Sequence, residues 1–121
     1  MIPLNRRDAV PLTAPDGSTI REIANPRNST VRGQSLAQAT LAPGQSTTRH
    51  FHPRAEEIYF LLSGDGQMSI EDEQFEVGAG DAIPILPGKN HKIWNTSDSQ
   101  DLVFLCCCAP AYSDEDTVLS E

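Results

Sequence analysis

Residues 44–64, GQSTTRHFHPRAEEIYFLLSG, contain the strongest structural signal of the chain. Their second half, residues 57–62, is a run of strand-forming residues that stops at a serine and a glycine. Their first half contains His50 and His52, separated by one residue. Because alternate side chains of a strand point to the same face, the two imidazoles are expected side by side. The stretch therefore predicts β-structure that presents a pair of histidines to one side.

The rest of the chain has the pattern of short strands separated by turn residues. Turn signals such as Asp16-Gly17 and Pro87-Gly88 recur along it, and no window of about 11 residues carries a helical apolar stripe. The predicted strands cover residues 10–13, 19–23, 31–41, 57–62, 67–71, 74–77, 81–86, 91–95 and 102–107. Many short strands at close spacing favour an all-β, antiparallel sandwich or barrel in a single domain.

The composition and charge of the chain restrict the partners that it can have. The 121 residues carry a formal net charge of −8, so the basic surface of a nucleic-acid-binding protein is not expected and anionic membrane surfaces are disfavoured. No apolar run reaches the length of about 18 residues that a membrane-spanning helix requires. The cysteines at positions 106, 107 and 108 are adjacent and cannot readily bridge one another, which indicates reduced thiols and a cytoplasmic protein.

Metal ligation is one interpretation of the histidines and of a nearby carboxylate. The chain has three histidines. His91 follows a turn, and Glu57 opens the strand after His50 and His52. Imidazole nitrogens and a carboxylate oxygen that face one cavity form a site for a divalent transition ion. Taken singly, a strand histidine is more often a surface or core residue, and a glutamate a solvated one. The metal hypothesis therefore depends on the four side chains converging.

Two spaced motifs in the chain resemble those of the cupin superfamily. The first motif of that family is G-x5-H-x-H-x(3,4)-E-x6-G, and its fixed positions are here Gly44, His50, His52, Glu57 and Gly64. The second motif is G-x5-P-x-G-x2-H-x3-N, and its matching positions are here Gly80, Gly88, His91 and Asn95. Leu86 stands where the second motif has proline. That position belongs to a turn, so the departure leaves the ligand pattern intact.

This resemblance implies a small cupin β-barrel, or jelly roll, that holds one divalent transition-metal ion (Zn, Mn, Fe, Ni or Cu). It assigns the ligand role to His50, His52, Glu57 and His91. It also implies a homodimer, with the N-terminal segment as a candidate exchange element. Within the one domain we therefore distinguish an N-terminal extended segment or hairpin over residues 1–30, the barrel over residues 31–111, and an acidic C-terminal tail over residues 112–121, which is expected to be solvated.

Further candidate residues for the cavity follow from the alternation of side chains between the two faces of a strand, here called strand parity. Tyr59 is expected on the same face as Glu57, where its hydroxyl either acts as a catalytic proton donor or the ring packs against the barrel wall. Gln38 either lines the cavity or faces solvent. Cys106 and Cys108 share a face that borders the cavity, and as small hydrophobic residues they need no function there.

The resembled superfamily contains enzymes and binding proteins, so several functions are compatible with the sequence. The first hypothesis is a metal-dependent enzyme that acts on a small oxygen-rich molecule (a carbohydrate, a carboxylate or a polyketide-like compound). The ion would serve as Lewis acid in an isomerase, lyase or cyclase. One alternative is a metal-dependent dioxygenase. The other is a non-catalytic cupin that binds or senses a small molecule.

Overall fold

The computed structural model describes residues 2–121 as two antiparallel sheets. The strands are β1 (Leu12–Thr13), β2 (Thr19–Ala24), β3 (Ser35–Leu41), β4 (His50–Phe51), β5 (Glu56–Ser63), β6 (Asp65–Ile70), β7 (Glu73–Gly78), β8 (Ala82–Ile85), β9 (His91–Asn95), β10 (Leu102–Ala109) and β11 (Val118–Leu119). One sheet has six strands in the order β1-β2-β3-β10-β5-β8, and the other has five in the order β11-β4-β9-β6-β7. The predicted all-β, antiparallel architecture is confirmed.

Helical structure is limited to two short 3-10 turns in the part of the chain that the structure describes. These turns are Arg6–Asp8 and Asp114–Asp116, and each begins after a residue whose side chain accepts a backbone hydrogen bond. No helix within residues 2–121 has the length and hydropathy needed to cross a membrane.

The apolar core lies between the two sheets. Strand β5 shows how the sequence builds it, because burial alternates along the strand: Tyr59 and Leu61 point inward, whereas Ile58 and Phe60 point outward. The largest fully buried apolar side chains are Leu41, Leu61, Met68, Ile93, Leu102 and Phe104. Each such side chain stabilises the fold by about 1.5–3 kcal/mol through its removal from water.

The strand predicted over residues 31–41 begins only at Ser35. The preceding loop is closed by Asn25, whose side-chain oxygen accepts hydrogen bonds from the backbone amides of Arg27 (2.8 Å) and Asn28 (3.1 Å). Such local side-chain hydrogen bonds compete with a sheet ladder and keep the chain in a turn. The Val31 amide in turn donates to the Ser29 hydroxyl oxygen at 3.2 Å, so at this residue too the chain uses a local partner and not a neighbouring strand.

The N-terminal hairpin lies at one edge of the six-stranded sheet. Strands β1 and β2 are joined at Asp16-Gly17, where Gly17 has φ = +91° and an Asp16 oxygen accepts the Ser18 amide at 3.0 Å. Strand β2 then pairs with β3 of the same chain. The loop between β1 and β2 is anchored to the other sheet, since the Thr48 amide donates to the Asp16 carbonyl at 2.7 Å.

Residues 112–121, expected as a solvated tail, make backbone hydrogen bonds with the body of the fold. Strand β11 pairs with β4, so that Leu119 lies opposite His50. The carboxylate of Asp116 accepts the backbone amides of Arg54 and Ala55, both at 3.0 Å. A further contact joins Lys92 to Glu121. The acidic side chains of this segment are thus partly used as hydrogen-bond acceptors.

Two glycines with the same backbone conformation give a test of the packing. Gly64 and Gly80 both have φ = +94°, but a Cβ at Gly64 would lie 2.6 Å from the Asp101 carbonyl oxygen, whereas nothing lies within 4 Å at Gly80. We expect Gly80→Ala to lower the free energy of unfolding by about 1 kcal/mol through backbone strain. Gly64→Ala should lower it by about 3 kcal/mol, because the new methyl group must also push the Asp101 backbone away. Urea unfolding of both variants measures this difference, and equal losses would contradict it.

Candidate metal centre

Three histidine side chains meet inside the fold. His50 lies in β4 and is paired in register with His91 at the start of β9, while His52 follows β4 directly. One ring nitrogen from each lies within 4.8 Å of those of the other two. All three side chains are buried, with exposures of 2%, 4% and 0% for His50, His52 and His91. The convergence expected from the spacing of the histidines is therefore present.

Backbone carbonyl groups fix the tautomer of each ring. The Nδ1 atoms of His50, His52 and His91 lie 2.7, 3.0 and 2.9 Å from the carbonyl oxygens of Thr48, Asp116 and Lys89, respectively. A carbonyl oxygen can only accept, so each Nδ1 must carry the proton. In a neutral ring the Nε2 atom then holds a lone pair. This is the arrangement that orients metal-binding histidines in proteins.

Glu57 adds a carboxylate oxygen to this cluster. Its Oε1 lies 3.3 Å from His52 Nε2 and 3.5 Å from His91 Nε2. Its Oε2 accepts the thiol hydrogen of Cys108, with a sulfur–oxygen distance of 3.0 Å. Glu57 thus lies beside two of the three histidines, with its second oxygen held by another strand.

The polar atoms at the centre of the cluster lack a hydrogen-bond partner among the described residues. Glu57 Oε1 and His91 Nε2 are buried and have no hydrogen-bond partner within the described chain. With Nδ1 protonated, the neighbouring Nε2 atoms and Oε1 are all acceptors, and facing acceptors repel one another. Buried polar groups are otherwise almost always paired, so a proton or a metal cation between them removes the conflict. The donor set of imidazole nitrogens and one carboxylate fits a divalent transition ion.

The electrostatic environment shifts the pKa values of Glu57, His50 and His52 in different directions. Burial alone would raise the pKa of Glu57, but His52 and His91 outweigh it and hold that pKa well below its usual range. Burial, followed by the charge of His91, lowers the pKa of His50. Burial also acts to lower the pKa of His52, but the hydrogen bond that a protonated His52 ring would donate to Glu57, together with the charge of Glu57, raises it overall. The carboxylate is therefore ionised, and His50 is neutral at neutral pH.

The cluster lies beside a cavity of about 470 Å³ that His50, His52, Glu57 and Tyr59 help to line. A volume of this size is typical of small-molecule sites. Tyr59 lies on the predicted side; its ring centroid is 5.8 Å from that of His91. Burial, followed by the charge of Glu57, raises the pKa of Tyr59 well above its ordinary value, so its hydroxyl stays protonated.

The other candidates from strand parity have different surroundings. Cys106 and Cys108 line the cavity, as expected, while Cys107 is exposed. Burial raises the pKa of the Cys106 thiol well above its usual range, so this thiol is not a ready nucleophile. Gln38 is buried but is not part of the cavity lining, and its side-chain oxygen accepts a hydrogen bond from Arg6 at 2.8 Å.

Two residues near the cluster were missed by the sequence analysis. Asp16 has one carboxylate oxygen, Oδ2, at 3.8 Å from His50 Nε2. Asp116 provides the carbonyl oxygen that binds His52 Nδ1. The Asp-Gly pair signalled a turn at Asp16, but nothing in the spacing of the motifs indicated that this turn lies next to His50.

Comparison with protein families and curated proteins gives matches over most of the chain. A family model described as a cupin domain matches residues 37–108. The chain is 44% identical over 111 residues to an uncharacterized protein of Methanocaldococcus jannaschii, covering 92% of this chain and 88% of that protein. Other similar proteins carry names as different as oxalate decarboxylase and tetracenomycin polyketide synthase protein.

Proteins of known structure with the same fold include two from Streptomyces. Pac13 bound to uridine superposes with a TM-score of 0.81 at 16% identity, covering 100% of this chain and 91% of that one. Another solved structure of Pac13 describes it as a nucleoside dehydratase. The polyketide cyclase RemF of Streptomyces resistomycificus has a TM-score of 0.77 at 26% identity, covering 90% of this chain and 79% of that one. The first likeness establishes the jelly-roll fold alone.

Metal binding at this cluster is expected to weaken in acid. The pKa of His52 is raised above its ordinary value of 6.5, so on acidification this ring gains a proton before His50 does. A protonated imidazole cannot bind a metal, and the loaded fraction should therefore fall below about pH 6.5. Elemental analysis after dialysis at stepwise pH measures this loss. Full metal content at about pH 5 would contradict it.

Proposed function

The chain belongs to the cupin family, and from this membership we propose that it is a metal-dependent enzyme acting on a small oxygen-rich molecule. The proposed ligands of one divalent transition ion are His50, His52, His91 and Glu57. The observation that carries the proposal is the set of buried acceptor atoms, Glu57 Oε1 and His91 Nε2 among them, beside a cavity of about 470 Å³. A divalent ion held there would pair these acceptors, and the adjoining cavity, which His50, His52 and Glu57 help to line, would give a substrate access to it.

The proposed chemistry is that of an isomerase, lyase or cyclase. A divalent ion bound to this donor set supplies a Lewis acid that stabilises negative charge on a substrate oxygen. The protein contributes buried ligands whose rings are held in fixed orientations. The names of similar proteins, which include a polyketide cyclase and oxalate decarboxylases, support reactions at carbonyl or carboxyl groups without selecting one.

Individual side chains around the ligands have proposed supporting roles. Cys108 donates to Glu57 Oε2 and so keeps Oε1 turned towards the histidines. Tyr59 is the proposed proton donor, because it lines the cavity beside the ligands. The neutral Cys106 thiol forms part of the wall.

A double histidine variant tests the metal site. His50→Ala/His52→Ala removes two of the proposed ligands and should reduce bound metal from one equivalent to less than about a tenth. Thr48→Ala is the matched control, because the His50 ring is bound to the Thr48 backbone carbonyl and that carbonyl remains. Elemental analysis of proteins purified without a metal column gives the readout. Stoichiometric metal in the double variant would refute the assignment.

Turnover assays on the same samples test the enzyme function. Metal-dependent conversion of a hydroxyketone or polyketide-like substrate supports the Lewis-acid proposal. Metal-dependent oxygen consumption would instead support a dioxygenase. Ligand binding without conversion of any substrate would identify a binding or sensing cupin.

We also propose that the protein is a homodimer that uses the outer face of the six-stranded sheet. Ile58 and Phe60 project from this face and are 47% and 40% exposed. Across the ladders Phe60 lies opposite Leu105 and Ala82, and Ile58 lies opposite Pro84, which makes the exposed patch continuous. Such apolar patches are typical of protein interfaces. Exchange of the N-terminal segment between copies stays a prediction, as does the cytoplasmic location, which the three free cysteines favour.

A charge placed on this sheet face tests the dimer. Phe60→Glu should convert the protein to a monomer, because an unpaired carboxylate at an apolar interface costs several kcal/mol. Leu119→Glu is the control, since Leu119 is 47% exposed but belongs to the other sheet. Size-exclusion chromatography with light scattering gives the mass. A wild-type monomer, or a Phe60→Glu dimer, would contradict the proposal.

A further inference from the structure

The cavity next to the histidine cluster is lined by an excess of acidic groups. Five carboxylate residues line it, namely Asp16, Glu22, Glu57, Asp114 and Glu115. Arg27 is the one lysine or arginine among the described residues that line it, and its side chain is exposed. Five negative charges outnumber the combined charge of a divalent ion and one guanidinium group. The loaded cavity would therefore keep a net negative charge, and so does the whole chain, at −8.

Apart from Glu57, Asp16 is the lining carboxylate that lies beside the histidine cluster. Its Oδ1 atom accepts hydrogen bonds from the Ser18 amide at 3.0 Å and the Ser18 hydroxyl at 2.6 Å. Its Oδ2 atom is 3.8 Å from His50 Nε2. The backbone of Asp16 is also fixed, because its carbonyl accepts the Thr48 amide. Asp16 thus holds a negatively charged hydrogen-bond acceptor at a set position beside the proposed ligands.

Much of the remaining cavity wall is apolar or aromatic. Ile20, Ala37, Ala39 and Phe104 line it, and Tyr112 adds a second aromatic ring to that of Tyr59. The small side chains of the two alanines leave room between the sheets, and the volume of about 470 Å³ accommodates a ring-containing molecule. A small dicarboxylate such as oxalate would leave most of this apolar surface unoccupied.

From these observations we propose that the site selects an uncharged, ring-containing molecule with hydroxyl and carbonyl oxygens over carboxylates, and that Asp16 is the residue that determines this selectivity. The inference rests on the proposed metal site and names the class of its substrate. A hydroxyl group can donate a hydrogen bond to Asp16 Oδ2, whereas a carboxylate at the same position meets a like charge. Apart from the proposed ion, Arg27 is the one lysine or arginine among the described lining residues that could pair with a carboxylate.

Two nearly isosteric probes test this selectivity. The first, α-hydroxyacetophenone, is uncharged; in the second, phenylglyoxylate, a carboxylate replaces the hydroxymethyl group. Oxalate serves as a third probe. Calorimetric titration of the metal-loaded wild-type protein should give a dissociation constant about tenfold lower for the hydroxyketone than for either anion. This difference is expected because the anion's carboxylate makes one additional like-charge contact with Asp16.

Substitution of Asp16 identifies the residue responsible. In Asp16→Asn the affinity for phenylglyoxylate relative to that for α-hydroxyacetophenone should rise about tenfold, because the repelling charge is lost. The side-chain oxygen that accepts the Ser18 hydrogen bonds is kept. An Asn-Gly step can hydrolyse back to Asp, so intact mass is checked, and Asp16→Ser provides a second variant that can still accept the Ser18 amide. Asp98→Asn is the control, since it removes the same charge from an exposed loop outside the cavity.

The outcomes separate this inference from the metal proposal. Metal content is measured on every sample, and both Asp16 variants are expected to retain one equivalent. Tighter binding of either anion by the wild type would overturn the inference, as would an unchanged ratio in both Asp16 variants or absence of hydroxyketone binding at about 10 mM. Loss of metal from the wild type itself would instead refute the proposed function.

Discussion

The hydrogen bonds from the Nδ1 atoms of the three histidines to backbone carbonyl oxygens are the constraint on which the candidate site depends. They leave the Nε2 atoms of His50, His52 and His91 as acceptors in one buried place, next to the ionised Glu57. Neutral side chains alone cannot satisfy this arrangement, because every group at its centre accepts hydrogen bonds. The fold therefore forms a buried cluster of acceptor atoms that favours positive charge, even without a metal.

The three carbonyl oxygens come from different parts of the chain. Those of Thr48 and Lys89 belong to the segments that lead into β4 and β9, whereas that of Asp116 comes from the C-terminal segment. Asp116 is itself held by hydrogen bonds to the backbone amides of Arg54 and Ala55. The orientation of His52 thus depends on residues that lie more than sixty positions away in the sequence, as the separation of 64 shows. The C-terminal segment is part of the site's support.

The sequence predicted the central features of the site because they are encoded in short spacings. His50 and His52 are two residues apart, and the strand alternation that places Glu57 and Tyr59 on one face also follows from local parity. For Gln38 the sequence left open whether it lines the cavity or faces solvent, and the structure shows neither, because Arg6 covers its side chain. Parity states which side a residue faces, and the burial of that side depends on what packs against it.

Asp16 and Asp116 could not be found in this way, because both reach the site through pairings distant in sequence. The turn at Asp16 meets Thr48 through a backbone hydrogen bond across the two sheets, and no local pattern specifies that contact. The acidic composition of residues 112–121 is typical of solvated segments, and only the pairing of β11 with β4 shows that the segment is docked. Residues that support and modify the site were therefore harder to predict than the proposed ligands.

X-ray absorption spectroscopy at the edge of the metal that co-purifies with the protein tests the central claim most directly. The account predicts scattering from three imidazole rings together with an oxygen ligand, and no sulfur in the first coordination shell, although Cys106 and Cys108 line the same cavity. A first shell that contains sulfur, or fewer than three imidazoles, would contradict the assignment of the histidine cluster as the metal site.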